Sequence, residues 1–275
     1  MCSDRLFLRR VASVVWTALL LLACSVKEDR DECPCFLTLD FGSVASEALI
    51  SEGIDSMNVM ISSDEVLCDS VSIGLADGVK EYNVGVAKSG LEVLVVCAGS
   101  GSISGEKGFR VDEGEDYPPV YHFYECFASL GEDKVCAVTL RRDFCILTVS
   151  IKTSYTLKAR AFRVTASGGT AGLDRTGEPA EGPFLSGPFT SSDGMASLRL
   201  PRQSLSCAGD LSIRVEFLSG DDVLTFPIGE YILESGYDWQ AADLEDISVE
   251  MDFSTSGVSF TIDKWKKTLS FDITI

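Results

Sequence analysis

Apolar side chains stand at every second position in one segment of this chain after another, and that period limits its fold more than any other feature. Leu211, Ile213, Val215 and Phe217 alternate with Ser, Arg and Glu. Ile247, Val249, Met251 and Phe253 do the same, as do Val258, Phe260 and Ile262, then Leu269, Phe271, Ile273 and Ile275. Successive side chains of a strand leave on opposite faces, so each segment becomes a ribbon with one dry side and one wet side. Antiparallel sheets packed in pairs bury such ribbons. The same period runs through Leu37, Leu39 and Phe41 and through Met57, Val59 and Ile61, whereas 91–98 and 144–151 are nearly continuous apolar runs. Helical periodicity is almost absent, with short helical turns expected only near 44–50 and 239–245. The expected class is all-β: two tandem antiparallel β-sandwich domains of the transthyretin-like or Greek-key kind.

The amino end decides where such a body is carried. Arg5, Arg9 and Arg10 precede an apolar stretch over 11–23 that ends on Leu21-Leu22-Ala23-Cys24. The stretch is too short to cross ~30 Å of hydrocarbon, which takes about 20 helical residues, and its layout is that of a secretory signal. Leu-x-Ala-Cys resembles the lipobox of bacterial lipoproteins. That resemblance implies cleavage between Ala23 and Cys24, a signal peptide over 1–23, and a lipidated tether over 24–35 whose Cys24 carries the acyl chains. One chain holds a protein only marginally at ~0.8 kcal/mol per buried CH₂, so two or three on Cys24 make the anchor stable. Residues 25–32 are mostly charged and cannot pack into a core. Within them Lys27-Glu28-Asp29 resembles the surface-export signal of lipoproteins of the Bacteroides group, which implies display on the outer face of the outer membrane.

The whole chain carries a formal charge of −19, and loss of three Arg and one Asp with the signal leaves −21 on 252 residues. A surface this acidic repels nucleic acid and anionic headgroups. Cys2 leaves with the signal and Cys24 with the lipid, so eight thiols remain, and eight permit 105 pairings. Cys126 and Cys136 flank Gly131-Glu132-Asp133 symmetrically and form the candidate disulfide, facing each other across a hairpin at roughly 2–3 kcal/mol; reduced thiols on strands are the alternative reading. With one histidine and no C-x-x-C, no metal site is expected.

Two stretches rich in glycine and proline, 99–119 and 166–194, read as long irregular loops. The boundary is placed after the apolar run that ends at Lys152. The two bodies then cover 36–153 and 154–275, each of ordinary sandwich size.

With these pieces assembled, the chain resembles the FimB-type fimbrial anchor proteins of Bacteroidales, lipoproteins at the base of type V pili. Glu32-Cys33-Pro34 before the first strand, Val138-Thr139-Leu140-Arg141-Arg142-Asp143 at the end of the first body, Thr225-Phe226-Pro227-Ile228-Gly229-Glu230-Tyr231-Ile232, and the closing hairpin with Trp265 carry the resemblance. Asp143 stands where the family usually has Asn, and Cys97-Ala98-Gly99 lacks the family's Trp. The resemblance implies a partner, the fimbrial shaft subunit, joined by strand complementation. An anchor is expected to keep its first strand, here 35–41, while Leu269, Phe271, Ile273 and Ile275 have the spacing of a donor strand. The alternative is that 269–275 is the last strand of its own sandwich.

No catalytic constellation is present: no G-x-S-x-G, no H-E-x-x-H and no phosphate-cradling loop before a helix. His122, in an aromatic strand, reads as a structural residue. No enzyme activity and no cofactor are expected. Asp55-Ser56-Met57 and Asp69-Ser70-Val71 fit the O-glycosylation pattern of this bacterial group, or are plain sequence. The competing function is a glycan-binding surface lipoprotein using exposed aromatic platforms, for which Trp239 and Trp265 are the candidates.

Overall fold

The alternation at the amino end forms β1 (Cys35–Asp40), with Cys35, Leu37 and Leu39 buried and Phe36 exposed. In the computed structural model, which describes residues 34–104, 108–112, 114–152, 161–191, 194–218, 223–252, 257–262 and 270–272, β1 is the middle strand of three. It lies antiparallel to β4 (Glu81–Val86) and parallel to β9 (Lys134–Ala137). A five-stranded sheet shares its core, in the order β10 (Arg141–Arg142), β8 (Val120–Phe127), β5 (Leu91–Ala98), β2 (Ser56–Ser63) and β3 (Val66–Gly74). Leu37, Leu39, Phe41, Val59, Ile61, Val93 and Val95 fill the space between the two.

A second pair of sheets encloses a second core. One runs β14 (Met195–Pro201), β11 (Phe144–Lys152), β17 (Ile247–Asp252), β18 (Gly257–Ile262), β19 (Ser270–Asp272). The other runs β16 (Val223–Phe226), β15 (Ser212–Phe217), β12 (Phe162–Leu173), β7 (Gly108–Arg110), β6 (Ser102–Ser104), with β13 (Pro179–Thr190) also paired to β12. Leu147, Val149, Phe162, Val164, Leu198, Ile213, Val215 and Val249 are among its buried residues, and so are Met60, Leu94 and Val96. Those last three come from β2 and β5. Both faces of β5 are therefore covered, the first core taking Leu91, Val93, Val95 and Cys97 and the second taking Leu94 and Val96. This is why 91–98 is nearly all apolar.

The all-β class is as expected; the boundary is not. β11, expected to close the first body of 36–153, pairs antiparallel with β14 and parallel with β17, and its Phe144, Cys145, Leu147 and Val149 lie in the second core. The polar shift after Lys152 marks where the chain meets water, which does not reveal which sheet adopts the strand before it. The division of sheets falls near Arg142 and Asp143 instead. Strands β6 and β7 cross it as well, since both come from the first half of the chain and join the sheet of β12.

The two expected loops are also corrected. Residues 99–119 supply β6 and β7, and 166–194 lie largely in the paired strands β12 and β13. Their glycines permit close approach rather than looseness. A Cβ on Gly172 would sit 2.1 Å from the Phe109 carbonyl oxygen, so a bare backbone is what lets β7 dock on β12. Gly172→Ala is accordingly expected to destabilise by about 1–3 kcal/mol through forced backbone displacement, read from urea melts of the folded protein; a change within error would mean that β7 is not held there.

Of the two expected helical turns, the first is α1 (Ser46–Ser51). The second is not helical: 239–245 is a run of turns and bends, and the helix lies earlier as α2 (Ile228–Glu234). There Ile228 and Ile232, four apart, turn one face into the second core.

Candidate functional site

The first strand, β1, fills a slot in the middle of its sheet. Leu37 and Leu39 are fully buried and Phe41 nearly so. The Cys35 thiol donates to the carbonyls of Val86 and Leu130, and the Phe36 amide donates to Asp133 at 2.8 Å. Along its length β1 pairs on both sides, from Cys35 opposite Val86 to Asp40 opposite Glu81, and from Leu37 opposite Lys134 to Asp40 opposite Ala137. A strand held this way covers an apolar trench and satisfies two rows of backbone groups. Without it, β4 and β9 would both present unpaired edges flanking an open core. Three large side chains at ~1.5–3 kcal/mol each give roughly 5–9 kcal/mol gross to the occupied slot.

A second construction joins the two cores. Asp143, wholly buried between β10 and β11, takes the Arg202 Nε at 2.8 Å on one oxygen and His122 Nδ1 on the other. His122 and Arg202 are buried too. The remaining guanidinium donors reach the carbonyls of Trp239 and Ala241, both at 2.7 Å, and of Arg142 and Ala242. His122 belongs to the first pair of sheets and Arg202 follows β14 of the second. The hairpin turn between β12 and β13 closes over His122, where a Cβ on Gly177 would lie 2.7 Å from the imidazole. All charges are matched and hydrogen-bonded, the condition under which a buried ionic cluster is tolerated. His122, on an aromatic strand, is thus tied into the joint between the two cores. Arg202 carries no sequence signal, being one arginine after an alternating strand.

The sequence-derived sites fall into three groups. Ala23, Cys24, Lys27, Glu28 and Asp29 lie outside the described residues, and so do Leu269, Ile273, Ile275 and Trp265. Phe271 belongs to β19, which pairs antiparallel with β18 through Gly257–Ser259 and places Phe271 opposite Val258. This part of the terminal segment thus lies at the edge of its own sheet. Trp239 is not a platform. It is 2% exposed, with its ring packed 4.7 Å from that of Tyr237, so the aromatic surface on which the glycan reading relied is absent at that position.

The Cys126–Cys136 disulfide is also corrected. Cys126 lies on β8 opposite Glu92 and is exposed, while Cys136 lies on β9 opposite Leu39 in the other sheet, and both are free thiols. The turn between them carries the chain from one sheet to the other instead of folding a hairpin. Native-state alkylation is expected to label Cys68 and Cys126 promptly and to reach Cys35, Cys97, Cys136 and Cys145 only on unfolding. Protection of Cys126 until a reductant is added would reverse the correction. Burial pushes the thiols of Cys97 and Cys145 up to about 12. A folded thiol that holds its proton where the unfolded one loses it stabilises fully below the unfolded value, and that share is lost as pH rises toward 12. Stability should therefore fall between about pH 9 and 12, less steeply in Cys97→Ala; equal slopes in equilibrium melts would contradict it.

No family model matches the sequence, and no curated protein does. Solved structures match over nearly their whole length. The fimbrial anchor protein Mfa2 from Porphyromonas gingivalis aligns with a TM-score of 0.59 at 14% identity, covering 86% of this chain and 99% of that one. A candidate adhesin from Bacteroides ovatus gives 0.57 at 13% identity over 89% and 97%. A candidate polysaccharide-binding protein from Bacteroides thetaiotaomicron gives 0.59 at 9% identity over 86% and 98%. The chain has the fold of Bacteroidales fimbrial and adhesin proteins.

Proposed function

We propose that this protein is a surface-exposed outer-membrane lipoprotein that anchors a type V fimbrium, or serves as a minor subunit of it, and joins the shaft by strand complementation. The observation that carries the reading is β1 seated in the middle of its sheet with both sides paired. Its slot is closed from within. A subunit whose slot is closed cannot accept a strand there, so the assembly ends at it on the membrane side. From the lipobox cysteine to the start of β1 the chain is short and charged, and at ~3.3–3.6 Å per residue its ten residues reach roughly 35 Å from the lipid. At the other end β19 is, among the described residues, an edge strand paired with β18, and an edge strand is the kind of element that can be released to pair elsewhere. The protein on this reading works by binding and needs neither enzyme activity nor cofactor.

Two experiments test it. Cys24→Ala should lose incorporation of a labelled fatty acid and leave the membrane fraction; continued fractionation with the envelope would remove the anchor. In a pull-down of fimbrial subunits, the intact protein should retain shaft subunit and a chain lacking its last eight residues should not. Equal retention by both would remove the donor role of Leu269, Phe271, Ile273 and Ile275 and leave the anchor role standing.

A further inference from the structure

Beside the buried charge cluster a cleft of about 560 Å³ opens, lined by Arg141, Glu178, Gln203, Ser206, Trp239 and Leu205 among others. Three polar atoms of its lining residues are buried and have no hydrogen-bond partner among the described residues: Arg141 Nε and Trp239 Nε1, which donate, and Gln203 Oε1, which accepts. Gln203 and Trp239 are each 2% exposed. Native proteins leave few buried polar groups unmade, and three around one cleft are a concentration that neither the strand slot nor the charge cluster explains. Arg202 also lines the cleft, but its donors are committed to Asp143 and to four carbonyls.

The lining indicates what class of guest would fit. Of its three charged residues, Arg141 and Glu178 offset each other and Arg202 is matched by Asp143 behind the lining, so an ion finds little net attraction. Unpaired donors beside an unpaired acceptor require a guest whose groups both accept and donate, and a hydroxyl does both. The volume is in the range of small-molecule sites, about 300–1,000 Å³. Leu205, 60% exposed at the cleft, adds an apolar patch suited to the C–H face of a sugar ring. We infer that this cleft binds a neutral saccharide of one or two rings, held by Arg141, Gln203 and Trp239 rather than by an exposed aromatic platform. The inference stands apart from the fimbrial reading and does not depend on it.

The test is titration of the full-length protein in a zwitterionic detergent with maltose, lactose, cellobiose and mannobiose, followed by calorimetry and by tryptophan emission. At least one of these should bind and shift the emission. Gln203→Leu should weaken that binding by about tenfold, the loss expected of one buried hydrogen bond. Ser206→Ala, on an exposed loop where folding is not at stake, should weaken it to a lesser degree with an unchanged melting temperature. Absence of binding to all four sugars would overturn the inference. So would binding that neither substitution alters, or preference for glucuronate over the neutral sugars.

Discussion

Asp143→Ala is expected to destabilise the protein by about 3–5 kcal/mol, because it leaves the Arg202 guanidinium in a buried site with its counter-charge removed. Arg202 is 3% exposed and cannot swing out to water without abandoning the four carbonyls that hold the 239–242 segment and Arg142. His122 loses its partner in the same step. For a chain of this size the loss corresponds to a drop in melting temperature of roughly 2–4 °C per kcal/mol. The double substitution Asp143→Leu with Arg202→Met should recover much of the loss, since exchanging a buried ion pair for apolar groups of similar size is often neutral. Equilibrium urea unfolding of the single and double variants decides the matter. A single-variant loss below about 1 kcal/mol would mean that the cluster does not hold the cores together.

Removing β1 should have an effect at least as large. Leu39→Asp is expected to cost more than Leu39→Ala, whose cavity in a wholly buried position costs about 2–5 kcal/mol, because it places a carboxylate in the apolar core between the two sheets. The sharper experiment inserts a protease site after Phe41 and cleaves the folded protein. Release of the segment ending at Phe41 should expose the trench between β4 and β9, seen as binding of a hydrophobic dye and association of the cleaved chains. A synthetic peptide with the sequence of 35–41 should reverse both, and one with Leu37 and Leu39 replaced by Asp should not. If the cleaved protein stays monomeric and dye-free with β1 gone, the slot is not a trench and the strand-complementation reading loses its physical basis.

Several features were legible along the chain. The period-two segments at Leu37, Met57, Leu211 and Ile247 became strands with the expected faces buried, as the patterns of β1, β2, β15 and β17 show. Alternation is a local property, written in consecutive residues, and needs no knowledge of partners. The slot of β1 was foreseen as a first strand, but its parallel neighbour β9 was not, because β9 lies nearly a hundred residues away and only four residues long. The glycine-rich stretches were read as loops because composition cannot distinguish a glycine needed for freedom from one needed for closeness. At Gly172 it is the approach of Phe109 that makes the difference.

Read alone, the residues specify the material: an acidic chain and a succession of strands whose dry faces are spelled out two residues at a time. The pairing came from the folded chain. β11 went to β14 and β17, β7 went to β12, Cys126 and Cys136 went to different sheets, and His122, Asp143 and Arg202 met in one buried cluster. The reason is physical. A strand's faces are set by burial of its own side chains, whereas its neighbours are set by hydrogen bonds and packing with segments far along the chain, where many partners offer nearly equal ladders and the shared core selects among them.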